Sequence, residues 1–118
     1  MVEFVLVFPV LALLLFAVVQ FGIVFHNYVT LTDAVRAGSR QAAVGRHVPA
    51  PEAEAEERVR ESAANLDQAK LVVDVDAPGG WLPGADVTVE ATYPYSINLL
   101  GIVVAAGDLT SKTTERVE

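Results

Sequence analysis

The sequence of 118 residues contains no cysteine. Disulfides, zinc–thiolate sites and thiol nucleophiles are therefore excluded, and cysteine usage says nothing about the redox compartment. Histidine is also scarce, because only His26 and His47 are present, and no acidic ligand is spaced to join them into a metal site. The serines lie in no nucleophile elbow, and no glycine-rich phosphate loop opens a helix. We therefore expect no enzymatic activity, no catalytic residue, no metal and no cofactor.

Charged side chains are missing from residues 4–32. Within this stretch, the 22 residues 4–25 contain a single strongly polar side chain, Gln20. The hydrocarbon core of a bilayer is about 30 Å thick and a helix rises about 1.5 Å per residue, so about 20 apolar residues can cross it. Residues 4–25 therefore predict a transmembrane helix.

The rest of the chain is polar and acidic. The net charge is −7, and all eight basic residues and fourteen of the fifteen acidic residues lie after residue 32. Because an acidic surface repels phosphates, we expect no nucleic-acid partner. The apolar stretch is longer than that of a cleaved secretory signal, and it starts directly after Glu3 without a basic leader. This pattern is typical of a membrane anchor that stays attached to a polar head.

The helical pattern continues beyond the predicted span. Apolar or small residues recur there at alternating steps of four and three, namely Leu31, Val35, Gly38, Ala42 and Gly45. Gly45 and the extended geometry favoured before Pro49 predict the end of this helix near Arg46. We therefore divide the chain into a long N-terminal helix, residues 1–46, and a small head domain, residues 47–118.

The head domain predicts an α+β fold. Pro51 is suited to the first turn of a second helix, followed by acidic residues that favour its N-terminal end, and this helix is predicted to end near Gln68. Alternating apolar residues predict strands at 71–76 and 86–93, joined by a turn cluster at 77–84. We interpret residues 97–107 as a loop or short helix and residues 109–117 as the third strand of an antiparallel sheet.

The order of several short motifs resembles the N-terminal signature of TadE-like pilins, the Tad/Flp-type family of type IV pilus subunits. Residues 2–9 read Val-Glu-Phe-Val-Leu-Val-Phe-Pro. They are followed by Gln-Phe-Gly at 20–22, Asn-Tyr at 27–28 and Thr-Asp-Ala-Val-Arg-Ala-Gly-Ser-Arg-Gln-Ala-Ala at 32–43. The C-terminal part is similar to that family too, with Tyr-Pro-Tyr at 93–95, an apolar stretch and a threonine-rich end. The resemblance implies a type IV pilin-like fold.

The resemblance also implies a function and partners. The chain would be a structural pilin of a prokaryote, held in the inner or cytoplasmic membrane and then polymerised through its N-terminal helix into an extracellular filament for adhesion. Its partners would be identical subunits, the lipid bilayer before assembly, a prepilin peptidase that removes a basic leader, and the pilus assembly platform. A minor or priming pilin, and a monomeric bitopic membrane protein of a secretion or pilus machine, are the alternatives.

Two signals disagree about the side of the membrane on which the head lies. Arg36, Arg40 and Arg46 follow the span, and the positive-inside tendency would place them in the cytoplasm. The basic leader that the family implies would favour the opposite orientation.

Glu3 corresponds to the acidic residue near the mature N-terminus of the family. The resemblance implies that it pairs with the free α-amine of a neighbouring subunit and sets the axial register of the filament. Solvation of Glu3 among lipid head groups is the alternative. In the family this glutamate is usually the fifth residue, whereas here it is the third; a trimmed chain, a different cleavage position or an introduced Met1 would each explain the difference.

The other candidate assembly residues lie in the apolar helix and are Phe4, Phe8, Pro9, Phe16, Phe21, Gly22 and Phe25. Proline removes a helical hydrogen bond, and glycine lowers helix stability by about 1 kcal/mol relative to alanine. Local melting of the helix on assembly is therefore a hypothesis, and an ordinary membrane-helix proline is the alternative.

The head offers a second group of candidate interface residues, namely Trp81, Ile97, Leu99, Leu100 and Val103. Trp81 lies in a loop, where an aromatic side chain can anchor an interface; its alternative is a ring folded onto the sheet. The apolar residues after position 96 either cover the first helix of their own subunit or contact the next one. We favour the contact between subunits.

Overall fold

The computed structural model describes residues 1–99 and 101–118. Helix α1 (Val2–Ala43) is followed by one 3₁₀ turn (Gly45–His47) and by helix α2 (Pro51–Ser62). Three strands complete the fold, and these are β1 (Val72–Asp76), β2 (Asp86–Leu99) and β3 (Ile102–Arg116). The strands form an antiparallel sheet in the order β1-β2-β3. The predicted α+β layout of a long helix, a second helix and a three-stranded sheet is confirmed.

Helix α1 is a long rod with two different environments. Its 42 residues correspond to about 63 Å at 1.5 Å per residue, which accounts for most of the 71 Å length of the molecule. One face is buried from Leu31 onward, whereas the N-terminal part projects from the head. The α-helix ends at Ala43 and the 3₁₀ turn continues to His47, close to the predicted end at Arg46.

The core lies between the C-terminal part of α1, helix α2 and one face of the sheet. It contains Leu31, Ala34, Val35, Ala42, Ala55, Val59, Ala63, Leu66, Leu71, Val87, Val89, Ala91 and Val117. Gly38 permits the close approach of the two helices, because a Cβ atom at this position would overlap Cγ2 of Val59 and lie 3.2 Å from the carbonyl oxygen of Ala55. Gly38 therefore lies in the contact between α1 and α2.

Helix α2 is shorter than predicted, since it ends at Ser62 and not near Gln68. The Gln68 side-chain amide donates to the carbonyl oxygen of Ala63 at 2.9 Å, and the Asp67 carboxylate accepts from the N–H of Ala69 at 3.1 Å. Side chains that bond to nearby backbone groups compete with helix formation. The segment after Ser62 therefore forms turns.

The predicted pairing of the first two strands is confirmed. Their antiparallel register runs from Val72 opposite Thr92 to Asp76 opposite Thr88. The connecting turn cluster contains Gly80 with a φ of 68°, a conformation that glycine adopts without steric cost.

The interpretation of residues 97–107 as a loop or short helix is wrong. Strand β2 continues to Leu99, β3 starts at Ile102, and the two strands pair as far as these residues. Residues 102–106 are all apolar and do not alternate with polar residues, which explains why the pattern did not indicate a strand. Gly101, with a φ of 83°, lies in the turn. The third strand thus covers the predicted 109–117 up to Arg116 and begins seven residues earlier.

Candidate assembly surface

The N-terminal part of α1, residues 4–25, forms an apolar stalk. Its phenylalanine side chains are all at least half exposed, with values of 68% for Phe4, 58% for Phe8, 50% for Phe16, 64% for Phe21 and 59% for Phe25. Glu3 is exposed at the start of the stalk. Apolar surface of this extent marks contact with a membrane or a partner, and α1 is long and apolar enough to cross a membrane.

Pro9 and Gly22 leave helix α1 unbroken in the single chain. Pro9 has no N–H, so the carbonyl group of Val5, four residues earlier, lacks its usual helical donor. A Cβ atom added at Gly22 would have no other atom within 4 Å, so Gly22 leaves an open notch on the stalk. Melting of the helix at these positions during assembly stays a prediction.

The β2–β3 ribbon ends in a second apolar surface, the hairpin tip, residues 96–106, which carries no charged side chain. Ile97 and Leu99 are half-buried, whereas Ile102, Val103 and Val104 are 70%, 58% and 61% exposed. The candidate Leu100 lies outside the described residues. The structure therefore places two uncharged surfaces, stalk and tip, in one molecule.

The hairpin tip lies beside the stalk. Ile97, Leu99 and Val104 line one side of a groove of about 690 Å³. The other side belongs to the stalk and consists of Leu14, Ala17, Val18, Phe21, Gly22 and Phe25. The groove thus brings together five of the candidate residues, namely Phe21, Gly22, Phe25, Ile97 and Leu99. The candidates Phe4, Phe8, Pro9, Phe16 and Val103 do not line it.

The sequence analysis missed Val104 and the groove-lining residues Leu14, Ala17 and Val18. The run Ile-Val-Val at 102–104 directly after Gly101 was the signal that could have found Val104, because β-branched residues after a turn glycine favour a strand. No comparable signal distinguishes Leu14 from the other apolar residues of the stalk.

Trp81 is held inside the subunit. Its indole Nε1–H donates to the carbonyl oxygen of Ala42 at 2.9 Å, and its ring packs against the core. The N–H of Glu118 donates to the carbonyl oxygen of Ala43 at 3.0 Å. The head thereby supplies donors to two carbonyl groups at the end of α1, and the carbonyl of Ala42 also accepts from the N–H of Val44. These bonds tie the long helix to the head, and an interface role for Trp81 stays a prediction.

The chain thus combines an apolar helical stalk, which is part of a helix long enough to cross a membrane, with a small α+β head. Residues 1–40 match a family model described as TadE-like protein, which confirms the resemblance seen in the sequence. These 40 residues are thus similar to proteins of a family associated with Tad pili. No curated protein and no solved structure matches the chain, and the similarity to type IV pilins in overall fold stays a prediction.

Proposed function

We propose that the chain is a structural pilin subunit that polymerises through its stalk into a Tad-like surface filament for adhesion. The observation that supports this most is the division of α1. The head packs on the part from Leu31 to Ala43, whereas the stalk is uncharged and exposed. In this proposal residues 1–46 are the membrane anchor and filament core, and residues 47–118 form the displayed head.

The same stalk serves in two surroundings. Full burial of a phenylalanine side chain contributes about 1.5–3 kcal/mol, so the five exposed rings of the stalk strongly favour removal from water. The bilayer provides that environment before assembly, and identical helices provide it afterwards. The partners in this proposal are other copies of the chain, the membrane, a prepilin peptidase and the assembly platform.

Glu3 has a distinct role in this proposal. Its carboxylate pairs with the α-amine of a neighbouring subunit once the leader has been removed. An unpaired carboxylate inside a low-dielectric core costs several kcal/mol, so the pairing selects one axial register between subunits.

Electron microscopy of material sheared from cells tests the proposal. We expect filaments containing the chain for the native sequence and for Glu52→Ala, a control at an exposed glutamate of the head. Glu3→Ala should reduce filament yield about a hundredfold or more, because leaving one member of a buried ion pair unpaired costs about 3–5 kcal/mol. Gold labelling along the whole filament would identify the main subunit, and labelling at the ends only would identify a minor pilin.

A monomeric bitopic membrane protein is the second candidate, because Arg36, Arg40 and Arg46 follow the stalk and favour a cytoplasmic head. This candidate predicts no filaments, with the native chain left in the membrane fraction. That outcome would contradict polymerisation.

A further inference from the structure

The groove between the stalk and the hairpin tip has the chemistry of a site for an apolar helix. Its nine lining residues carry neither charge nor a polar side chain. The stalk side extends from Leu14 to Phe25, which corresponds to about 17 Å, or three helical turns. Gly22 leaves an open notch in it, because no atom lies within 4 Å of the position of a Cβ.

We propose that this groove receives the N-terminal ridge of a second copy of the chain, and this inference rests on the proposed function. The ridge consists of Phe4, Phe8, Leu11 and Leu15, which are 68%, 58%, 56% and 66% exposed. Their spacing of four, three and four residues places them on one helical face. The rings of Phe4 and Phe8 lie side by side with centroids 6.1 Å apart. Packing of such ridges into grooves is the usual mode of helix association.

Once the stalk has left the bilayer, a protein occupant fits the groove better than lipid does. Strand β1 pairs with β2 only between Thr88 and Thr92, so within the part of the chain that the structure describes the hairpin tip is a two-stranded ribbon. The outward N–H and C=O groups of such a ribbon have no strand partner, and hydrocarbon cannot hydrogen-bond to them. A helix packed into the groove covers the apolar faces and leaves the strand edges open to water.

The geometry of this contact leads to a filament. The ridge and the groove are different surfaces of the same chain, so the contact is heterologous, and such a contact repeats without limit when it does not close into a ring. The ridge spans residues 4–15 and the stalk side of the groove spans residues 14–25, so their centres lie about ten residues apart along α1. Docking therefore shifts one subunit by about 15 Å along the axis relative to the other. The hairpin tip forms one wall of the site, so assembly depends on a folded head.

Mixed assembly of two single-cysteine forms tests the docking. The native chain has no cysteine, so a disulfide between Phe8→Cys in one copy and Val104→Cys in another reports a contact between copies. The two forms are coexpressed with different tags, and sheared filaments are oxidised and separated on non-reducing gels. Val72→Cys, at a 62% exposed position on β1, replaces Val104→Cys in the control. We expect a heterodimer at least about tenfold more abundant than in the control, because disulfides need Cβ atoms within about 4.5 Å.

The possible results separate the inference from the proposed function. Filaments without the heterodimer would overturn the docking and leave polymerisation intact, whereas a native chain without filaments would overturn both. If the cysteine forms do not assemble, a map of native filaments decides. A map that shows Phe4 and Phe8 of one copy in the groove of another, at an axial shift of about 15 Å, would support the docking. A map that shows acyl chains or another segment in the groove would contradict it.

A second variant narrows the groove. Gly22→Leu adds a side chain at a position where a Cβ atom meets open space. We expect filament yield to fall at least about tenfold, since overpacked sites reject added methylene groups, while the melting temperature of the head stays unchanged. Normal filament yield from Gly22→Leu would contradict occupation of the groove by a second chain.

Discussion

At the scale of single residues, two glycines of the same helix have opposite surroundings. Gly38 lies where α1 meets α2, and a Cβ atom there would overlap Val59 and crowd the backbone of Ala55. Gly22 lies on the exposed stalk, where a Cβ atom would have no other atom within 4 Å. Their roles therefore differ, because one permits close helix packing and the other leaves a notch on an outer surface.

We expect Gly38→Ala to lower the free energy of unfolding of the head by about 1–3 kcal/mol, because an added methyl group in a closely packed core is destabilising. Gly22→Ala, the matched control, should leave it unchanged or raise it by up to about 1 kcal/mol through higher helix propensity. Thermal unfolding in detergent micelles, followed by the fluorescence of Trp81, measures both. When Val59→Ala is also present, Gly38→Ala should lower the free energy of unfolding by less, because the overlapping methyl group is absent. Equal stability of the Gly38 and Gly22 variants would contradict the close contact.

At the scale of elements, the β2–β3 ribbon changes character along its length. In the head its outer face is polar, and the hydroxyls of Thr88 and Thr114 are hydrogen-bonded across the two strands at 2.9 Å. In the hairpin tip both faces carry apolar side chains, with Ile97 and Leu99 toward the stalk groove and Val103 outside it. Among the described residues, β1 pairs with β2 only between Thr88 and Thr92, so no third strand extends along the tip.

The turn of the hairpin tip should be sensitive at Gly101, whose φ is 83°. The left-handed conformation is about 1–2 kcal/mol less stable for residues with a Cβ atom. Gly101→Ala should therefore destabilise the turn and increase amide hydrogen exchange in residues 96–106 about five- to thirtyfold. Gly101→Asn is the control, because asparagine tolerates positive φ better. Exchange between β1 and β2 should stay the same in both variants. Unchanged exchange in the tip of Gly101→Ala would contradict the hairpin.

At the scale of the whole molecule, charge and apolar surface are separated along a 71 Å axis. The net charge is −7, and the acidic residues other than Glu3 lie beyond the stalk. A filament built on the stalk would therefore display an acidic surface at every subunit. Such a surface keeps filaments apart by repulsion, and this repulsion depends on ionic strength.

We expect lateral bundling of filaments to increase with salt, because the Debye length falls from about 30 Å at 0.01 M to about 3 Å at 1 M. Light scattering and electron microscopy of sheared filaments across this range measure the bundling. The double variant Glu52→Gln with Glu57→Gln removes two exposed acidic groups and should bundle at lower salt than the native chain. Bundling that does not respond to salt or to this variant would rule out charge repulsion as its control.

The stalk and the α+β layout follow from the sequence alone, which also places Gly38 on the apolar face of α1. Each of these depends on local regularity, namely an uncharged stretch long enough to span a bilayer, the change from a period of 3.6 to a period of two, and the spacing of small residues. The motif order in residues 1–40 also predicted the family match. Such patterns indicate which face of a helix or strand is apolar.

The contacts that each apolar face makes depend on the tertiary structure. The bond between Trp81 and Ala42 joins residues 39 positions apart, and the groove joins Val104 to Leu14, whereas periodicity carries no information about such distant partners. The hairpin tip was not predicted because residues 102–106 are all apolar and show no period of two. Its position beside the stalk follows from the pairing of β2 with β3 and the packing of the sheet on α1, which are properties of the folded chain.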